Sequence, residues 1–126
     1  MRVSLILAGL NGAMAVGLGA FAAHGMAGVE MDYARGLVEK GAHYQLIHAV
    51  ALTGVAALYS AMSGGHLLRW TAMAWVVGIV FFCGSLYAIA FSGIAAFGMV
   101  APVGGTAFII GWLLLALTGW RHARLT

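Results

Sequence analysis

Gly41-Ala42-His43-Tyr44-Gln45-Leu46-Ile47-His48 is the stretch where the chain's one cluster of ionisable residues runs into a hydrophobic segment and carries a histidine into it. Before it, residues 23–43 hold all three acidic residues, Glu30, Asp32 and Glu39, together with Arg35 and Lys40. After it, the chain carries no charged side chain until Arg69. At a rise of 1.5 Å per residue, about 20 apolar residues cross a bilayer, so this stretch reads as the start of a membrane span.

Working outward, three more segments have the same character. The spans are expected at about 3–22, 44–62, 71–91 and 102–120, with residues 24–43 as an amphipathic outer loop. Within that loop Asp32 is spaced to meet Arg35, and Met31, Ala34 and Leu37 make an apolar side, which suits a short surface helix leading into the second span. The composition agrees: the chain is 63% hydrophobic and only 7% charged, where soluble domains are about 25% charged. A β-barrel would alternate apolar and polar positions, and this chain does not. The expected fold is all-α, an integral membrane four-helix bundle forming one domain over 1–126.

Several function classes drop out on the same grounds. The net charge of +3 comes from a few Lys and Arg, mostly at the ends of apolar runs, so there is no basic surface for nucleic acid. The single cysteine, Cys83, forms no intramolecular disulfide and reads as a small buried apolar residue. Ala20-Phe21-Ala22 resembles a signal-peptide cleavage site, but the run before it is longer than a usual secretory core, so it is expected to remain as a span. The two hairpins have loops of very different length and do not align as the inverted repeat of a transporter. Ser85 and Ser92 have no base beside them, and no catalytic residue is assigned.

Orientation follows from the cations. The N-terminus, the 63–70 turn and the C-terminal tail share one side and carry Arg2, Arg69, Arg121 and Arg124, against Arg35 and Lys40 on the other. Four against two favours both termini in the cytoplasm, with Trp70 and Trp120 at the inner interface.

Polar residues then mark the candidate site. Asn11, near the middle of span one, reads as an interhelical hydrogen-bonding residue, and Gly9, Gly12, Ala13 and Gly17 clear a strip for close helix packing. His24 follows span one, Tyr44, Gln45 and His48 open span two, Tyr87 lies in the outer third of span three, and Pro102, Gly104, Gly105 and Thr106 begin span four. These are expected to converge on one polar pocket in the outer half of the bundle.

Tyr44 and Gln45 precede His48 by four and three residues, positions from which they can set its tautomer. An intramembrane histidine is a functional candidate by default, yet a neutral imidazole also ties helices together. A ligand or proton-handling role stays open, as does a metal or haem role with His24. Two histidines fall short of a metal's three or four ligands, and no metal or cofactor is assigned. Pro102 suits a first helical turn. Gly104 and Gly105 serve either helix packing or, through backbone N–H groups, an anion.

Four motifs, in order, then carry a resemblance. Gly19-Ala20-Phe21-Ala22-Ala23-His24-Gly25, Tyr44-Gln45-Leu46-Ile47-His48-Ala49, Gly84-Ser85-Leu86-Tyr87-Ala88, and Pro102-Val103-Gly104-Gly105 through Gly111-Trp112 resemble an uncharacterised small inner-membrane family. It is the one filed as domain of unknown function 423, which includes the eukaryotic transmembrane protein 256. His43 and Ala22 depart from that family's pattern. The resemblance implies a multi-pass protein of the bacterial inner membrane with four spans, and it brings no established activity or cofactor.

The expected function is that of a small accessory or scaffold component, a homo-oligomer or part of a larger membrane complex in the lipid bilayer. One alternative is a small transporter or channel with an outward pocket around His48 and Tyr87. Another is a membrane redox or metal-binding subunit using His24 and His48.

Overall fold

A computed structural model describes residues 2–124, and all of its regular structure is helical. Helix α1 is Arg2–Gly25, α2 is Asp32–Ala61, α3 is His66–Gly78, α4 is Gly84–Ser92 and α5 is Ala101–Ala123. A π turn, Ile79–Cys83, joins α3 and α4 into one continuous rod, His66–Ser92. Short 3₁₀ turns, Val29–Met31 and Ala95–Met99, complete the two connections at the end of the bundle away from the termini. Four helical segments are therefore long and apolar enough to cross a membrane.

The segment expected as an outer loop over 24–43 is helical from Asp32 onward and runs without a break into α2. The 30 residues of α2 span roughly 45 Å, more than the ~30 Å of a hydrocarbon core. Its first turns therefore project beyond the bilayer, which is why they tolerate Glu39 and Lys40. Arg35 holds this end together. Its guanidinium pairs with Asp32 one turn earlier and donates to the Met26 carbonyl at 2.8 Å, clasping the end of α1 to the start of α2. Met26, Ala22 and Val38 pack beneath that clasp as a small buried cluster.

At the opposite end, α2 closes with a Schellman motif. Ser63 takes a left-handed φ of 58°, and the Gly64 N–H bonds the Tyr59 carbonyl at 2.7 Å. The chain then enters α3 behind Gly65, and Pro102 sits in the first turn of α5 as expected.

Helix α1 packs along α2 in antiparallel register, with the Gly12 position 4.0 Å from the Ala49 Cβ and the Gly19 position 4.0 Å from the Ala42 Cβ. The buried residues of α1 are Ala8, Ala15 and Ala22, spaced by seven, and their small side chains permit this close approach. Helix α3 packs on α5, and α4 on α2. The main core lies among α2, α3 and α5, where Leu52, Val55, Leu68, Trp75, Ile79, Cys83 and Phe108 are buried together.

Glycines set the closest crossings. Gly104 of α5 abuts the backbone of Phe82 inside the π turn, Gly111 lies against the Trp75 ring, and Gly41 of α2 lies under the Tyr87 ring. The π turn carries one residue more than an α turn. It therefore lets α4 present a face to α2 that unbroken 3.6-residue spacing from α3 would not place there.

Candidate functional site

Two polar groups occupy the interior of the bundle. The first is a chain of hydrogen bonds across three spans. The Tyr87 hydroxyl donates to Gln45 Oε1 at 2.7 Å, Gln45 Nε2 donates to Asn11 Oδ1 at 2.8 Å, and Asn11 Nδ2 donates to the Leu7 carbonyl at 2.8 Å. A carbonyl only accepts, so the Leu7 oxygen requires the Asn11 amide nitrogen to face it. That choice fixes the direction of every bond back to Tyr87. Gln45, at the centre, is fully buried.

The second group surrounds His48. Its Nδ1 lies 2.7 Å from the Tyr44 backbone carbonyl, one turn earlier, and its Nε2 lies 3.1 Å from the Trp112 indole nitrogen on α5. The carbonyl accepts and the indole N–H donates, so Nδ1 carries the proton and Nε2 receives one. The result is a neutral imidazole with both nitrogens engaged. The ring stacks on Phe108 at 3.7 Å between centroids and meets Trp75 and Trp112 edge-on at 5.9 and 5.8 Å. The Tyr44 ring lies beside this pair and nearly parallel to both, its centroid 6.4 Å from His48 and 6.2 Å from Phe108. Among the described residues, Trp75 Nε1 is the buried side-chain polar atom left without a partner.

The expected residues are therefore distributed rather than pooled. Gln45 and Tyr87 come together, as do Tyr44 and His48, but Tyr87 bonds Gln45 and not His48. The Tyr44 backbone, not its hydroxyl, sets the histidine tautomer, and Gln45 serves the other group. Asn11 makes the interhelical bond expected of it. Gly104 is buried against Phe82, and the Gly105 position stands 3.9 Å from the Phe82 ring. Pro102 and Thr106 are exposed, and the Thr106 hydroxyl donates back to the Pro102 carbonyl at 2.8 Å.

His24 is exposed and stands apart. The register that pairs Gly12 with Ala49 and Gly19 with Ala42 puts His24 level with Leu37 and His48 level with Ala13. The two histidines thus lie roughly 16 Å apart along the bundle axis. The same register places His48 near the middle of α1 rather than in the outer half. Among the described residues there is no group of three or more His, Cys, Asp or Glu that would hold a metal ion.

On α1, Gly12 lies in the contact with α2, whereas Gly9, Ala13 and Gly17 are exposed. Turning Asn11 toward Gln45 decides this. At 100° per residue, Gly9, Ala13 and Gly17 stand about 120 to 160° away from Asn11.

Sequence reasoning missed Phe108 and Trp112 as the partners of His48. They are four residues apart, with Gly104 and Gly111 on the same face of α5. That alternation of large and small residues was the available signal.

Comparison with known proteins agrees with the membrane class. The model of the family described as "Protein of unknown function (DUF423)" matches residues 18–105, a region that holds Gln45, His48, Tyr87 and Gly104. A UPF0382 membrane protein of Staphylococcus aureus (strain bovine RF122 / ET3-1) is 38% identical over 98% of this chain and 99% of its own length. One from Haemophilus influenzae is 38% identical over 96% of each chain, and one from Bacillus subtilis is 37% identical over 97% of this chain and 99% of its own. No solved structure matches. With four membrane-spanning helices and full-length relatives named as membrane proteins, the chain is a multi-pass membrane protein belonging to the DUF423 family of unknown function.

Proposed function

We propose that the protein is a small accessory or scaffold component of a membrane assembly, docking through the outward face of α1 onto a second copy of itself. The observation that carries this reading is the contrast between the interior and α1. Inside, Asn11, Gln45, Tyr87 and His48 engage one another or a neighbouring helix. A carrier built on His48 and Tyr87 would need those groups free to meet a substrate. Outside, α1 leans on α2 alone for most of its length and leaves Gly9, Ala13 and Gly17 exposed at intervals of four.

Helices in lipid gain nothing from the hydrophobic effect on meeting. They associate where small residues let backbones approach and van der Waals contacts accumulate. A strip of this kind is self-complementary about a two-fold axis, since each copy offers the groove the other needs. A Cβ added at Gly9 or Gly17 meets nothing within 4 Å inside the monomer. Ile at both positions should therefore leave the monomer's fold intact and block the dimer. On a native gel in mild detergent, the Gly9→Ile/Gly17→Ile variant is expected to run as a monomer where the parent runs as an oligomer. Unchanged migration would sink the reading.

The same proposal sets both termini in the cytoplasm. Arg2, Arg69, Arg121 and Arg124 lie at that end of the chain's hairpins, against Arg35 and Lys40 at the other. A C-terminal alkaline phosphatase fusion, active only outside the cytoplasm, is expected to be inactive. High phosphatase activity would reverse the orientation.

A further inference from the structure

The end of the bundle opposite the acidic segment carries a feature the assembly reading does not use. A cavity of about 350 Å³ opens between the Schellman turn and the last turns of α5, lined by Gly64, Gly65, His66, Thr118, Arg121 and His122. Adjoining it, a recess of about 200 Å³ shares Gly64, Gly65 and His66 and is lined as well by Tyr59 and Arg69. Arg69 also stands at the mouth of a third space, an apolar groove of about 370 Å³ between α1 and α3, walled by Val3, Leu7, Ala72, Met73 and Val76. A cationic cleft and an apolar groove thus meet at one arginine.

We propose that this composite site binds one anionic phospholipid, its phosphate among His66, Arg69, Arg121 and His122 and an acyl chain in the α1/α3 groove. Charge is the first reason. All three acidic residues of the chain lie between Glu30 and Glu39, and among the described residues the one ion pair is Arg35 with Asp32, at the far end. Among the described residues, Arg69 and Arg121 therefore have no Asp or Glu side chain beside them to neutralise their charge. Arg69 is held in place by its Nε bond to the Tyr59 hydroxyl at 3.1 Å and by its position 5.5 Å over that ring, which leaves its remaining N–H groups for a ligand.

Depth is the second reason. Trp70 and Trp120 are both exposed at this end, where indole rings belong at headgroup level. Arg124 covers the Trp120 face at 3.9 Å and does not line the cleft. The third reason is the groove. A free phosphate ion has no use for apolar walls, whereas a lipid fills both halves of the site with one molecule. The first turn of α3 has no side-chain cap, so its N–H groups add donors at the cleft floor.

The test is native mass spectrometry of the full chain in detergent. The protein would be titrated with phosphatidylglycerol or phosphatidylcholine of matched chains, and separately with inorganic phosphate as competitor. One phosphatidylglycerol should be retained in preference to phosphatidylcholine. Arg69→Gln and Arg121→Gln should each weaken retention about fivefold, the effect of one juxtamembrane cation. Arg69→Lys, which keeps the charge, should largely retain it and guards against a folding defect in Arg69→Gln. Arg124→Gln should change nothing. Ala72→Phe, which fills the groove, should weaken both lipids. Equal retention of the two lipids, or full retention in the Arg69→Gln/Arg121→Gln variant, overturns the site. Displacement of phosphatidylglycerol by millimolar phosphate overturns the lipid as occupant in favour of the free ion. None of these readings depends on oligomeric state, so failure here and failure of the dimer are distinguishable.

Discussion

Gly104→Ala is expected to destabilise the protein by about 3 kcal/mol, at the top of the range for overpacking, while Gly105→Ala, one residue on, leaves it unchanged or slightly more stable. The two substitutions add the same methyl group to the same helix. At Gly104 the new Cβ would come within 2.7 Å of the Phe82 Cα and closer still to its backbone nitrogen. Backbone atoms cannot rotate aside as a side chain does, so α5 must move away from the π turn and lose packing against that turn and against α3. At Gly105 the nearest atom is the Phe82 ring at 3.9 Å, an ordinary contact. Replacing a helical glycine by alanine there gains roughly 0.5–1 kcal/mol of backbone entropy. Thermal unfolding of both variants in the same micelle separates the cases. Equal midpoints would show that the α5 crossing is looser than described.

Gln45→Leu is the second large effect, expected at about 2 kcal/mol. Leucine preserves most of the volume, so the loss is polar. Two interhelical bonds go, each worth about 0.6 to 1.7 kcal/mol inside a membrane protein, and Asn11 Oδ1 and the Tyr87 hydroxyl lose their partner across the helix interface. The direction of the chain yields a sharper test. Because Tyr87 donates and Gln45 Oε1 accepts, Tyr87→Phe removes one bond and strands one acceptor. Adding Tyr87→Phe to Gln45→Leu removes a hydroxyl already orphaned. The double variant should therefore be more stable than the sum of the singles by about 1 kcal/mol. Additivity within about 0.3 kcal/mol would mean the two groups do not interact in the folded protein.

Both predictions concern residues whose importance was visible in the chain while their role was not. Gly104 stood between two readings, anion donor and packing site. The choice depended on whether another backbone lay opposite, and that backbone belongs to a π turn which the run Ile79-Val80-Phe81-Phe82-Cys83 does not announce. Gln45 was expected to serve His48 from three residues away on the same helix. It points to Asn11 and Tyr87 instead, because α1 and α4 flank that face of α2 and α5 flanks the other.

The chain by itself determined its membrane class, its four spans, the helical start at Pro102, the burial of Cys83 and the interhelical use of Asn11. These follow from apolar run length, local conformational rules and the cost of a lone polar group in lipid, all of which act within one segment. Only the tertiary structure decided which polar groups meet. A helix gives each side chain an angle and a height, but the neighbour at that angle depends on how the rods are ordered and rotated. Rotating α1 to join Asn11 with Gln45 turned Gly9, Ala13 and Gly17 outward. Setting α5 beside α2 gave His48 to Trp112 and Phe108, leaving Tyr87 to Gln45.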